Sequence, residues 1–155
     1  MIIIMNMGPD RISVLLVLVL CLSAAACGGY KDTNSSTAPS ASTPPSAAFS
    51  QTDLRDGTGA TATQGRAVTV SYTGWLYDPT KSESKGTQFD TSTSFSFQLG
   101  AGRVIAGWDQ GVVGMKVGGQ RRLVIPPNLA YGSQANGPIP ANSTLVFDIV
   151  LLSVN

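Results

Sequence analysis

From Phe49 onward, apolar residues return at every second position in short runs. Val68, Val70 and Tyr72 alternate with Thr69, Ser71 and Thr73, the period expected of a strand with one face on a core. Phe95, Phe97 and Leu99 repeat it. Leu123 and Ile125 carry it on until Pro126-Pro127 ends the run, and Leu145, Phe147, Ile149 and Leu151 supply a last strand. Only one stretch has helical spacing: Ile105, Trp108, Val112 and Met115 fall at intervals of three, four and three, which stacks them on one helix face. Gly107, Gly111 and Gly114 each cost on the order of 1 kcal/mol of helix propensity, so packing against the sheet must hold this helix. The segment from Tyr77 to Gln88, with Asp78-Pro79 and Gly86 among lysines, reads as an exposed loop with solvated charges. The pattern predicts an α+β domain of antiparallel strands with one short helix, covering residues 49–155.

Ahead of that domain the pattern changes twice. Ile12 to Leu22 form an almost unbroken apolar run behind Arg11, followed by Ser23-Ala24-Ala25-Ala26 and then Cys27-Gly28-Gly29. The run is shorter than the roughly 20 residues that cross a bilayer, and small residues before the break suit a signal peptidase. Residues 1–26 are therefore expected to be a secretory signal peptide. Cys27 resembles the cysteine of a bacterial lipobox, the lipidated first residue of a mature lipoprotein, although Ala24 stands where that pattern most often has leucine. Plain cleavage after Ala26 is the alternative. Residues 27–48 are rich in Ser, Thr, Ala and Pro with hardly any large apolar side chain, as in a flexible tether from anchor to domain.

Composition narrows the chemistry. With 43% hydrophobic residues the 155-residue chain can build one packed core, whereas a net charge of +1 supplies no field to recruit nucleic acid. The absence of histidine excludes a histidine base and histidine metal sites. Both cysteines, Cys21 and Cys27, precede the domain, so no disulfide or thiolate cage can hold it. No nucleophile with a base and no phosphate-cradling loop is present, and no cofactor or metal is implied. What remains is a set of aromatics, Tyr72, Phe89, Phe95, Phe97, Trp108, Tyr131 and Phe147, which can line a pocket or simply fill a core.

Five runs decide between these: Val70-Ser71-Tyr72-Thr73-Gly74, Phe89-Asp90, Val104-Ile105-Ala106-Gly107-Trp108, Ala130-Tyr131-Gly132 and Thr144-Leu145-Val146-Phe147-Asp148. In order and spacing they resemble the FKBP-type peptidyl-prolyl cis/trans isomerases, over essentially all of residues 49–155. The resemblance implies a curved antiparallel sheet wrapped around one short helix. It implies a proline pocket floored by Trp108 and lined by Tyr72, Phe89, Phe95, Phe97, Val104, Ile139 and Phe147. Asp90, Tyr131 and the Ile105 backbone N–H would be the catalytic groups. Asp90 has a second reading as a turn cap through Asp90-Thr91-Ser92, and Tyr131 as a packed loop tyrosine. The chain departs from the family pattern in two places: no basic residue lies between Asp90 and Phe95, and Ala135 and Asn136 stand where larger residues often rim the site.

The activity so implied is acceleration of X–Pro isomerisation in exported polypeptides, by a monomer lipid-anchored in a bacterial cell envelope and open to macrolide inhibitors. A proline-segment-binding chaperone with little turnover is the alternative, and a structural surface lipoprotein the third.

Overall fold

A computed structural model describes residues 43–155. The expected signal segment, Cys27 and the linker as far as residue 42 lie outside the described residues. Five strands form one antiparallel sheet: β1 (Ser50–Arg55), β2 (Ala67–Tyr77), β3 (Lys85–Gln98), β4 (Gln120–Ile125) and β5 (Leu145–Val154), in the order β1-β4-β5-β2-β3. One helix, α1 (Ala106–Gly111), lies between β3 and β4 in sequence. The alternation read from the sequence is the inner face of this sheet. Val68, Val70, Leu123, Ile125, Leu145, Ile149 and Leu151 are fully buried against Trp108, Val112 and Met115.

The hydrophobic pattern does not predict strand β1. Its sequence, Ser-Gln-Thr-Asp-Leu-Arg, is exposed at every position, so no hydrophobic period marks it. It is held by its backbone ladder to β4, from Ser50 opposite Val124 to Arg55 opposite Gln120. The helix is also shorter than its apolar spacing predicts. It closes at Gly111, and Val112 and Met115 continue the buried stripe from the following turn, where Gly114 takes φ +82°.

The expected loop from Tyr77 to Gln88 shrinks to residues 78–84, with a 3₁₀ turn at Ser82–Ser84, because β3 already begins at Lys85. Its charges are not simply solvated. Lys85 Nζ lies 2.7 Å from both Glu83 Oε2 and Asp148 Oδ2, and Arg122 grips Asp148 with Nε and Nη2 at 2.7 and 3.0 Å. Pairing with β2 and β5 brings these residues together on the sheet's outer face, opposite the core.

The helix packs on β4 at unusually close range, and glycine makes this possible. A Cβ on Gly107 would stand 2.5 Å from Ile125 Cγ2, and one on Gly111 2.5 Å from Leu123 Cδ1. Helix propensity alone would favour Gly107→Ala by about 1 kcal/mol. Because the fully buried Ile125 has no room to yield, the substitution is expected instead to destabilise the domain by about 1–3 kcal/mol. Thermal denaturation checks this, and a raised midpoint would contradict it.

Candidate active site

Trp108 is buried, with 4% of its surface exposed, at the centre of a ring cluster. The centroids of Tyr72, Phe147, Phe97 and Phe95 lie 4.9, 5.3, 5.6 and 6.1 Å from it, mostly edge to face. Edge-to-face contacts set the positive ring edge against a negative π-face, which fixes the rings' angles as well as burying their area. Phe89 extends the wall through Phe147, centroids 5.5 Å apart. The Trp108 indole Nε1 is buried and has no hydrogen-bond partner among the described residues. The groups gathered around this ring are thus apolar or π-faced.

The sheet reaches this arrangement through two irregularities. Gly74 pairs with Asp90 and the next residue, Trp75, with Gln88, so Phe89 is an extra residue on β3. A bulge of this kind re-aims side chains. Here it lets two consecutive residues serve the inner face, Phe89 against Phe147 and Asp90 against Tyr72. A second register shift separates Val70 opposite Phe95 from Tyr72 opposite Ser92. Gly74 completes the wall, because a Cβ there would come within 2.7 Å of Phe147 and 2.8 Å of Phe89.

Polar groups converge on one side of the cluster. The Tyr72 hydroxyl donates to Asp90 Oδ2 at 2.7 Å, while Asp90 Oδ1 accepts the Thr91 N–H at 2.8 Å. One Asp90 oxygen thus partners Tyr72, while the other meets only the N–H of its own neighbour inside β3, so Asp90 caps no turn. Burial and then the bond to Asp90 push the Tyr72 hydroxyl far above the ordinary tyrosine range. The half-buried Tyr131 is pushed up to about 12, by burial first and then by the Asp90 carboxylate. Both phenols therefore keep their protons at neutral pH, and each is a hydrogen-bond donor.

The remaining expected residues come from loops. Val104 and Ile105, ahead of α1, are half buried against the core cluster; Ile105 is the N-cap, and among the described residues its N–H is not taken by another backbone group. Ile139 is 4% exposed, held by reciprocal backbone bonds with Asn136 of 2.9 and 3.0 Å. Every residue anticipated for the site thus belongs to the buried cluster or packs on it, apart from Asp90, which joins through Tyr72.

Two residues near the site escaped the sequence reading. Asp109 follows Trp108 and accepts the N–H groups of Gly100 and Gly102 at 2.9 and 3.0 Å, tying the loop that carries Val104 and Ile105 to the helix. Arg121 is 7% exposed and bonds to both α1 and β1. A signal for Arg121 was available, since it falls in period two with Leu123 and Ile125 and so occupies a core-facing position.

Residues 59–152 match the family described as FKBP-type peptidyl-prolyl cis-trans isomerase. The chain belongs to this family. It is 44% identical over 106 residues to FK506-binding protein 1 of Aspergillus oryzae, covering 64% of this chain and 91% of that protein. It is 46% identical over 103 residues to an FK506-binding protein of Neisseria meningitidis, covering 66% and 92%. Among solved structures, FkpA from Escherichia coli matches with a TM-score of 0.60 at 40% identity, over 69% of this chain and 48% of that one. AtFKBP13 matches with a TM-score of 0.60 at 34% identity, over 69% and 93%. The FKBP domain described above is accordingly a peptidyl-prolyl cis-trans isomerase, with the one-helix antiparallel architecture of its relatives.

Proposed function

We propose that this isomerase turns X–Pro bonds in the aromatic cluster over Trp108, and that it does so on exported polypeptides as a monomer anchored through a lipid on Cys27. The observation that carries the site assignment is the ring cage itself, four aromatic centroids within 6.1 Å of a buried indole with Asp90 and Tyr131 on one side.

The barrier to rotation about a peptide bond is about 18–20 kcal/mol because resonance keeps it planar, and unaided X–Pro bonds interconvert in tens to hundreds of seconds. The planar form carries charge on the carbonyl oxygen, which water supports. Drawing that amide among apolar rings withdraws the support, while the twisted form, with less carbonyl charge, loses less. A barrier lowered by ~4 kcal/mol gives roughly 10³-fold acceleration, with no covalent step.

In this reading Trp108 is the floor and Tyr72, Phe95, Phe97 and Phe147 hold the pyrrolidine ring by shape. Phe89, Val104 and Ile139 close the sides. The Tyr131 hydroxyl and the Ile105 N–H are the donors available to carbonyls of the bound segment. Asp90 fixes the Tyr72 ring by its 2.7 Å bond and sets its carboxyl group beside the twisting amide. A macrolide inhibitor would compete for the same floor, in keeping with relatives that are FK506-binding proteins. Ser23 to Cys27, behind the apolar run, supports export and lipidation, and two or more acyl chains on one cysteine would anchor stably.

Detergent-phase partitioning combined with a protease-coupled isomerase assay tests both halves. The wild-type chain should enter the detergent phase and Cys27→Ser should not, with the same kcat/KM for each. A wild type that stays in the aqueous phase would remove the anchor. A background isomerisation rate would leave only proline binding without turnover.

A further inference from the structure

Three inward-facing residues of β4 meet α1 in turn. Ile125 lies under Gly107 and Leu123 under Gly111, both at a range only glycine allows. The third position, Arg121, does not end in a methyl group. Its Nη1 donates to the carbonyls of Gly111 and Val113 at 2.8 and 3.1 Å, while Nε and Nη2 take the two oxygens of Asp53 on β1 at 2.6 and 3.0 Å. Four guanidinium bonds thus join the C-terminal end of the helix to two strands.

The apolar contacts of Ile125 and Leu123 are non-directional, and they meet a helix face without side chains. Such contacts press α1 against the sheet but resist sliding along its axis weakly. The carbonyls of a last helical turn lack intrahelical partners, and hydrogen bonds to them are directional. A helix of six residues has little rigidity of its own, and it carries Trp108 with Ile105 immediately ahead. Burying a guanidinium costs several kcal/mol, and an apolar residue of similar volume often serves stability as well. Stability alone therefore does not account for an arginine at this position.

We propose that Arg121 is a positioning residue of the isomerase: held by Asp53, it fixes α1 along its axis and so sets where Trp108 and the Ile105 N–H stand in the cavity. This rests on Trp108 being the cavity floor. A displacement of about 1 Å in a reacting geometry can cost up to a hundredfold in rate, and a partly released helix is expected to cost less.

The test uses the full chain and steady-state kinetics on a proline-containing peptide, at a temperature where circular dichroism shows each variant folded. Arg121→Met should lower kcat/KM by about tenfold, chiefly through kcat, and quicken amide exchange at Trp108 and Val112. Arg121→Lys, which can still reach a carbonyl, should recover part of both. Asp53→Asn should fall by about threefold. Asp148→Asn is the stability control: it weakens the outer-face ion network without touching α1, and should stay within about twofold of wild type.

A folded Arg121→Met with wild-type kcat/KM overturns the proposal, as does an equal loss in Asp148→Asn. If Arg121→Met does not fold, Asp53→Asn decides, and wild-type kinetics with unchanged exchange overturns it. Trp108→Leu is run beside them. If that variant keeps full activity, the cavity reading falls and the proposal with it, whereas an impaired Trp108→Leu beside an unimpaired Arg121→Met removes only the role of Arg121.

Discussion

Trp108→Leu is expected to lower kcat/KM by about one to two orders of magnitude and to cost about 3 kcal/mol of stability. The two effects share a cause. The indole is in contact with Tyr72, Phe95, Phe97 and Phe147 and almost wholly buried, so leucine leaves a void that rings fixed on three strands cannot collapse to fill. Lost transfer energy and the residual cavity both count, and each edge-to-face pair adds roughly 0.5–1.5 kcal/mol beyond its area. The kinetic loss is a loss of shape. Without a flat floor the proline ring has no fixed plane, and the amide is no longer presented twisted toward Asp90 and Tyr131. Denaturant unfolding and a protease-coupled assay measure the two separately. Undiminished kcat/KM in a folded variant would place the reaction elsewhere.

The second large effect lies on the other face of the sheet. Asp148→Ala is expected to cost about 2–4 kcal/mol, because it strips Arg122 and Lys85 of the carboxylate they share. Side chains of Asp148, Arg122 and Lys85 are only 13%, 15% and 19% exposed, so solvent does little to replace the lost partner. Burial alone would push the Asp148 carboxyl up. The hydrogen bonds and charges of Arg122 and Lys85 outweigh it and hold the group below the ordinary carboxylate range. A carboxyl whose folded pKa is depressed contributes in full above its unfolded value, about 3.9, and loses that contribution as pH falls through the folded one. The gap between wild type and Asp148→Ala should therefore be complete near neutral pH and narrow in strong acid. Denaturation midpoints at about pH 7 and about pH 3 check the sign, and a gap that widens in acid would refute it.

These two sites differ in how far the sequence announces them. Trp108 and its neighbours are legible, because a residue that must face a core repeats with the period of its element, and because five ordered motifs carry the family's pocket. The Asp148 network is not. Its members stand at residues 83, 85, 122 and 148 and meet only once β5 has placed β4 and β2 on either side of itself. A charge run in a loop looks the same whether it is solvated or folded onto a sheet. The strand β1 was invisible for a related reason, since ladder hydrogen bonds leave no mark on side-chain type when neither face is buried. The bulge at Phe89 likewise depends on register against β2. Without it, strict alternation would send Phe89 and Asp90 to opposite faces, and only the resemblance set both in the pocket.

The strand order also constrains how the chain reaches its fold. The last strand in sequence, Leu145–Val154, is the central one: it pairs with β4 on one side and with β2 on the other, while β1 and β3 attach only to those neighbours. Until residues 145–154 are available, β1–β4 and β2–β3 are two separate ribbons with no ladder between them, and two-stranded ribbons are marginal in water. Closing the sheet needs contacts between distant parts of the chain, which makes folding slow relative to helical domains. A ribosome releasing this domain from its N-terminal side therefore emits over ninety residues, carrying four strands and the helix, that cannot yet lock. An enzyme that hastens proline isomerisation in other chains is itself unfinished until the ten residues of β5 arrive.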